Sequence, residues 1–243
     1  MRRTSGSKLP LLAVATVVTL VTGYAIAAFV APMDADQGFM QKIFYLHVPL
    51  AIVALCGFVF GGIEAIRHLR TGDAKHDLRS YVAIHMALIF GVAVLITGGI
   101  WAKASWGTWW VWDEPTLVSF LIVFLLYCTY QPLRFSIEDR ERQSRYASVF
   151  AITAGAFVPL NFAAVRAADS LIHPRTFDST DNLPGWMAVA FVVCLAGMAL
   201  LYATLWRVEI DAKLTRGRVK SLKRRLGGVD TPVRGRSAAP QLP

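Results

Sequence analysis

Charge is scarce in this sequence. Asp, Glu, Lys and Arg make up 17% of its 243 residues against 55% hydrophobic residues, a balance too apolar for a domain with an ordinary water-facing surface. Cysteine is scarcer still. Cys56, Cys128 and Cys194 form no metal-spaced pair and no Cys-x-x-Cys-His attachment site, which argues against a zinc module and against covalently attached haem, and leaves structural thiols as the plain reading. The sequence also lacks a phosphate-cradling glycine loop, an internal repeat and a recognisable nucleophile–base pair, so neither a nucleotide site nor covalent catalysis has a foothold in it.

What is present is a set of long apolar runs. A bilayer core of roughly 30 Å takes about 20 apolar helical residues to cross, and six runs qualify: Leu11–Val30, Ile43–Ile66, Tyr81–Ala102, Thr116–Gln131, Tyr146–Val165 and Trp186–Trp206. The expected fold is an all-α integral membrane protein with six transmembrane helices. Lys and Arg set its orientation, because positive charge beside a span is retained on the cytoplasmic side. With both termini inside, the outer segments hold just Lys42, Lys103, Arg166 and Arg175 of the 25 basic residues. Residues 1–10 then form a cytoplasmic N-terminus, 11–206 the membrane domain and 207–243 a basic cytoplasmic tail.

The formal charge of +9 is concentrated in that tail, around Lys220, Lys223, Arg224 and Arg225, directly after a span. Attraction to anionic lipid headgroups explains it without nucleic acid. From Gly227 onward the composition turns to Gly, Pro, Ser and Ala without apolar periodicity, and disorder is expected there. Arg2–Arg3, the apolar run and Ala25-Ile26-Ala27 also resemble a cleavable signal, but the run is long for one. Helix two begins outside on either reading.

The segment Trp106-Gly107-Thr108-Trp109-Trp110-Val111-Trp112-Asp113 joins helices three and four on the expected outer face. Two readings compete. Tryptophan favours the headgroup level, so this can be an aromatic belt; alternatively the indoles form a platform for a large, flat, apolar ligand, with stacking area and N–H donors. Trp106, Trp109, Trp110 and Asp113 recur at i, i+3, i+4 and i+7, which gathers them on one face if the segment coils. Of the five histidines, His68, His76 and His85 fall at the inner side and read as structural. His47 sits about one turn inside helix two, beside Pro49. His173 lies on the outer side, where Val165, Ala168 and Leu171 or Ile172 suggest that helix five extends outward until Pro174 stops it. Two neutral imidazoles on opposite sides of a planar macrocycle are a sensible way to hold haem iron.

The run Trp106 to Asp113 resembles the WWD signature of haem-handling membrane proteins. With the six-helix length and the stretch Lys42–Pro49, the chain is similar to the CcmC family of haem exporter proteins, which act in cytochrome c maturation. The likeness covers about Leu11 to Trp206. It implies haem b held without a covalent bond on the outer face of the bacterial cytoplasmic membrane, with His47 and His173 as axial ligands. Trp106, Gly107, Thr108, Trp109, Trp110, Trp112 and Asp113 would lie along the macrocycle. It further implies presentation of that haem to the periplasmic chaperone CcmE, and association with the ABC transporter proteins CcmA and CcmB and with CcmD.

This chain departs from the family pattern after Asp113. The family usually continues with Asp, one residue, Arg, Leu and Thr, whereas here the order is Asp113-Glu114-Pro115-Thr116-Leu117. The arginine is missing, so any cation that meets the haem propionates has to come from Lys42, Lys103, Arg166 or Arg175. Where members often have bulky aromatics before the second histidine, this chain has Ala167-Ala168-Asp169. Three other readings stay open at this point: a CcsA-like protein delivering haem to an apocytochrome synthase, a membrane cytochrome b, and a scaffold that never binds haem.

Overall fold

The computed structural model describes residues 8–35, 37–168, 172–174, 183 and 185–226. Among these the chain is helical apart from its connections and one isolated β-bridge between Asp34 and Gly38. Six stretches are long and apolar enough to cross a bilayer: Lys8–Val30, Phe39–Thr71, Ala74–Trp106, Pro115–Phe135, Arg140–Ala167 and Gly185–Arg225. The six-span, all-α membrane fold expected from the sequence is therefore the fold observed. The tail beyond residue 226, where disorder was expected, lies outside the described residues.

Each span runs past the apolar core that betrays it in the sequence, because caps rather than hydropathy decide where a helix ends. Helix α1 (Lys8–Ala25) continues into a π-helical turn, Ile26–Val30. A 3-10 turn, Phe39–Ile43, leads into α2 (Phe44–Thr71), which stops at Gly72 in the left-handed conformation, φ 68°. Asp73 caps α3 (Ala74–Trp106) by accepting from the Lys75 N–H at 2.8 Å. Glu114 caps α4 (Pro115–Cys128), which has Pro115 in its first turn. A short α5 (Tyr130–Phe135) completes that fourth span. The break at Thr129 has a covalent cause: Pro132 has no N–H to give the carbonyl four residues back, at Cys128. Helix α6 (Arg140–Ala167) is capped by Asp139, and α7 (Gly185–Arg225) continues as one helix well beyond Trp206 into the basic tail.

Packing centres on α2. One cluster of buried side chains joins Phe58 and Ala65 of α2 to Ile84, Val123, Tyr127, Ala151 and Val158. A second joins Leu50, Val53 and Ala54 to Phe90, Val94 and Met198. A third joins Tyr45 to Ala27, Phe191 and Cys194. In lipid there is little hydrophobic gain from helix association, so close backbone approach and satisfied polar contacts hold such bundles together. The α2–α6 crossing shows the first. A Cβ on Gly62 would lie 3.1 Å from the Ala151 carbonyl oxygen, and one on Gly155 would lie 3.3 Å from Gly62 Cα.

The end of the bundle away from the tryptophan loop shows the second. Glu64, fully buried, accepts from Arg67 and pairs with His76 Nδ1 at 2.6 Å. Arg134 of α5 grips Asp77 of α3 through two parallel bonds of 2.7 and 2.6 Å. His68 Nδ1 lies 3.1 Å from the Asp73 carbonyl, and His85 Nδ1 lies 3.4 Å from Gln131 Nε2. His68, His76 and His85 thus all have structural partners.

Replacing Gly62 by valine forces α2 and α6 apart against a carbonyl that cannot yield, and is expected to cost about 1–3 kcal/mol. Thermal unfolding in detergent should show a lowered Tm for Gly62→Val and little change for Gly217→Ala, where a Cβ meets nothing within 4 Å.

Candidate functional site

Helix α3 lays out the floor of the site. Val94, Gly98 and Trp101 line a cavity of about 260 Å³ together with His47, Ala51 and Leu55 of α2. Phe120 and Val123 of α4, Val158, Phe162 and Arg166 of α6, and the tryptophan loop close it. The lining is predominantly apolar with a few polar groups, the usual character of a small-molecule or cofactor site.

His47 and His173 both border this cavity. His47 is held from α3: its Nδ1 lies 2.9 Å from the Thr97 hydroxyl oxygen. A Cβ on Gly98 would stand 2.9 Å from His47 Cε1, so the imidazole occupies the space that glycine leaves. His173 meets a pair of indoles. Its ring centroid is 6.1 Å from that of Trp101 and 6.3 Å from that of Trp106, at interplanar angles of 66° and 68°. The two indoles meet each other edge to face at 4.8 Å. Two such edge contacts favour one plane for the imidazole.

The tryptophan motif divides. Trp106, Trp109 and Trp110 line the cavity. Trp110 Nε1 is buried and has no hydrogen-bond partner among the described residues, a donor that ordinarily would not be left unpaired. Trp112 is 71% exposed and reaches the cavity only through its edge contact with Trp110, ring centroids 5.9 Å apart. Asp113 is exposed. Gly107 ends α3 in the left-handed conformation, φ 75°, and its carbonyl accepts from Lys103 Nζ at 2.8 Å. The Thr108 hydroxyl donates to the Trp110 carbonyl at 3.2 Å. The loop after Trp106 is not helical, so the helical face suggested by the tryptophan spacing does not form.

The outward extension of α6 does not form either. The helix ends at Ala167, Ala168 is extended with ψ 151°, and His173 stands in irregular chain. The reason lies in Glu114, the acidic residue that departs from the family pattern. Its side chain is fully buried, and Oε2 accepts the backbone N–H groups of Ile172 at 2.9 Å and His173 at 3.2 Å. Its Oε1 accepts from the Thr116 N–H at 3.3 Å. N–H groups that a continuing helix would consume are instead spent on this carboxylate. Burial pushes the carboxyl upward, but hydrogen bonds from the Ile172, His173 and Thr116 N–H groups and from the Thr116 side chain outweigh it and hold Glu114 below its ordinary range.

Of the four cations expected on the outer side, Arg166 borders the cavity, with its guanidinium 4.9 Å from the Phe162 ring centroid. Lys42 Nζ donates to the Ala31 carbonyl at 2.6 Å, and Lys103 to Gly107. Arg175 lies outside the described residues. Sequence reasoning missed Trp101, Thr97 and Gly98. Their signal was the i, i+1, i+4 spacing on α3, a helical face that becomes meaningful once His47 is known to pack against it.

Glu114→Gln keeps one acceptor oxygen but points an amide N–H₂ at a site that needs acceptors throughout. Loss of charge-assisted bonds worth roughly 1.5–3 kcal/mol should speed amide hydrogen exchange at Ile172 and His173 by about tenfold or more. Exchange measured by mass spectrometry on the full-length protein checks this, with Asp139→Asn as a cap variant distant in sequence.

Comparison with known proteins identifies relatives of the whole chain. Residues 1–225 match the family described as heme exporter protein C, CcmC. The heme exporter protein C of Rhodobacter capsulatus is 30% identical over 226 residues, 92% of this chain and 93% of the relative. That of Bradyrhizobium diazoefficiens is 31% identical over 220 residues, 88% and 82%. That of Escherichia coli K12 is 30% identical over 197 residues, 81% and 80%. A match that spans both chains nearly end to end, on a six-span fold, means that this chain belongs to the heme exporter protein C family.

Proposed function

We propose that this protein serves haem export and cytochrome c maturation by holding haem b non-covalently between His47 and His173 and presenting it to a periplasmic haem chaperone of the CcmE kind. The observation that carries the reading is the meeting of two imidazoles at one apolar cavity walled by Trp101, Trp106, Trp109 and Trp110. A bare metal ion would need more ligands: among the described residues no group of three or more His, Cys, Asp or Glu side chains is placed to hold one. Iron already seated in a porphyrin needs only axial donors, which two histidines supply.

The residues fit such a ligand. The indoles offer flat apolar area, and the buried Trp110 Nε1 offers a donor to a polar group brought in by the ligand. Among the described residues Arg166 is the cation at the cavity wall, and it takes the part of the family arginine that this chain lacks, meeting a propionate. The exposure of Trp109, 61%, and of Trp112 keeps one side of the platform within reach of a protein partner. In this reading the site lies on the outer face of the bacterial cytoplasmic membrane, because Lys and Arg cluster at the opposite end. CcmA, CcmB and CcmD are the partners that the family resemblance implies. No covalent chemistry is assigned to the chain's own side chains; they grip, orient and release.

The test is the absorption spectrum of protein purified in detergent after expression with haem supply, oxidised and reduced. Wild type is expected to show low-spin, bis-histidine haem. His47→Ala and His173→Ala should each lose or alter it, and Arg166→Ala should weaken haem retention by roughly tenfold while leaving the low-spin spectrum in place. Wild type without stoichiometric haem, even when co-expressed with its transporter partners, would refute the haem-holding role and leave a scaffold.

A further inference from the structure

Thr97 lies one turn before Trp101 on α3, with its hydroxyl between the helix backbone and His47. The hydroxyl oxygen is 2.8 Å from the Ala93 carbonyl oxygen, 3.2 Å from that of Val94 and 2.9 Å from His47 Nδ1. A hydroxyl has a single proton, and backbone carbonyls can only accept. That proton is committed to the carbonyls one turn back, as is usual for threonine inside a helix. Toward His47 the oxygen therefore has only lone pairs to offer. Nδ1 must therefore be the donor in this contact.

A neutral imidazole has one N–H. With that N–H on Nδ1, the other ring nitrogen, Nε2, keeps its lone pair for the cavity that His47 lines. Gly98 completes the arrangement. The closeness of its missing Cβ to His47 Cε1 shows that the ring lies directly on the α3 backbone, with Thr97 and Gly98 defining its seat.

We infer that Thr97 is a positioning residue that selects the Nδ1–H tautomer of His47 and so presents an Nε2 lone pair to the ligand before any ligand arrives. This deepens the function proposed above and rests on it for the identity of the ligand, but the tautomer itself does not depend on haem. A metal-bound histidine whose second nitrogen donates to an acceptor is a more basic and better oriented ligand, and such outer partners typically contribute about 10–100-fold in metal affinity.

The experiment uses full-length protein in detergent, labelled with ¹⁵N-histidine and free of haem. Nitrogen chemical shifts separate N–H from lone-pair nitrogens in neutral imidazole, and His47→Ala identifies the signals of interest. Wild type and Thr97→Ser are expected to show His47 in the Nδ1–H form. Thr97→Val, nearly isosteric but without an acceptor, is expected to show a mixture of tautomers. On haem titration, Thr97→Val should bind on the order of 10–100-fold more weakly, with a raised reduction potential, and Thr97→Ser should restore both. A wild-type Nε2–H tautomer would overturn the inference, as would Thr97→Val with an unchanged tautomer and unchanged affinity. A wild type that shows the Nδ1–H tautomer yet binds no haem would instead defeat the haem reading and leave the role of Thr97 standing.

Discussion

Everything in this protein hangs on α2, and α2 is held by how closely other backbones can approach it. Apolar side chains facing lipid gain almost nothing by facing one another instead, so ordinary hydrophobic burial cannot set the arrangement of six such helices. Contact distance can. Gly62 and Gly155 bring α2 and α6 close enough for backbone to meet backbone, and Gly57 admits the Tyr202 ring of α7, with a Cβ there only 2.7 Å from its hydroxyl oxygen. The same helix carries residues of all three buried clusters. It also carries His47, so the imidazole proposed to face the iron stands on the most constrained element in the bundle.

The two ends of that bundle use buried charge differently. At the basic end, Glu64 with Arg67, and Asp77 with Arg134, form ion pairs within and between helices, and Glu64 also meets His76 Nδ1. Breaking such a pair leaves a charge without its partner, which costs far more than the pair itself contributes; these contacts hold the hairpin of α2 and α3 and the end of the fourth span in register. At the tryptophan end the buried charge is Glu114, and its partners include backbone N–H groups. A carboxylate satisfied by backbone donors orders the segment bearing His173 through the chain itself, whatever side chains that segment carries.

That difference bears on how a loading platform works. A site that only stored haem would profit from two equally fixed ligands. Here one histidine comes from a helix and leans on another helix through Thr97 and Gly98. The other comes from irregular chain, anchored through its backbone and in edge contact with Trp101 and Trp106. The proposed platform thus combines a ligand on a rigid element with one on a connection, and connections are where function and adaptability concentrate. The exposed indoles of Trp109 and Trp112 belong to the same loop as Trp106, and they offer a partner protein apolar area next to the cavity.

Much of this was legible in residue order alone. Length and polarity of the apolar runs determined six spans, because crossing lipid demands about 20 such residues whatever the fold. Two histidines and a cluster of tryptophans pointed to a site, because those side chains are costly to group without a ligand. Helix ends were not legible: the Trp loop and the segment after Ala167 both carry helical spacing, yet the structure leaves them irregular where it describes them. Spacing describes what a segment can do in isolation, whereas Gly107 in its left-handed conformation and the Glu114 carboxylate decide what it does in place. Nor could the sequence reveal Trp101, Thr97 and Gly98 as site residues, since each is unremarkable until α2 packs against α3. The sequence by itself determined that this chain lives in a membrane and which residues could meet a flat, metal-bearing ligand. Only the tertiary structure decided which of them border one cavity, because orientation in a helical bundle is set by long-range contact and not by local preference.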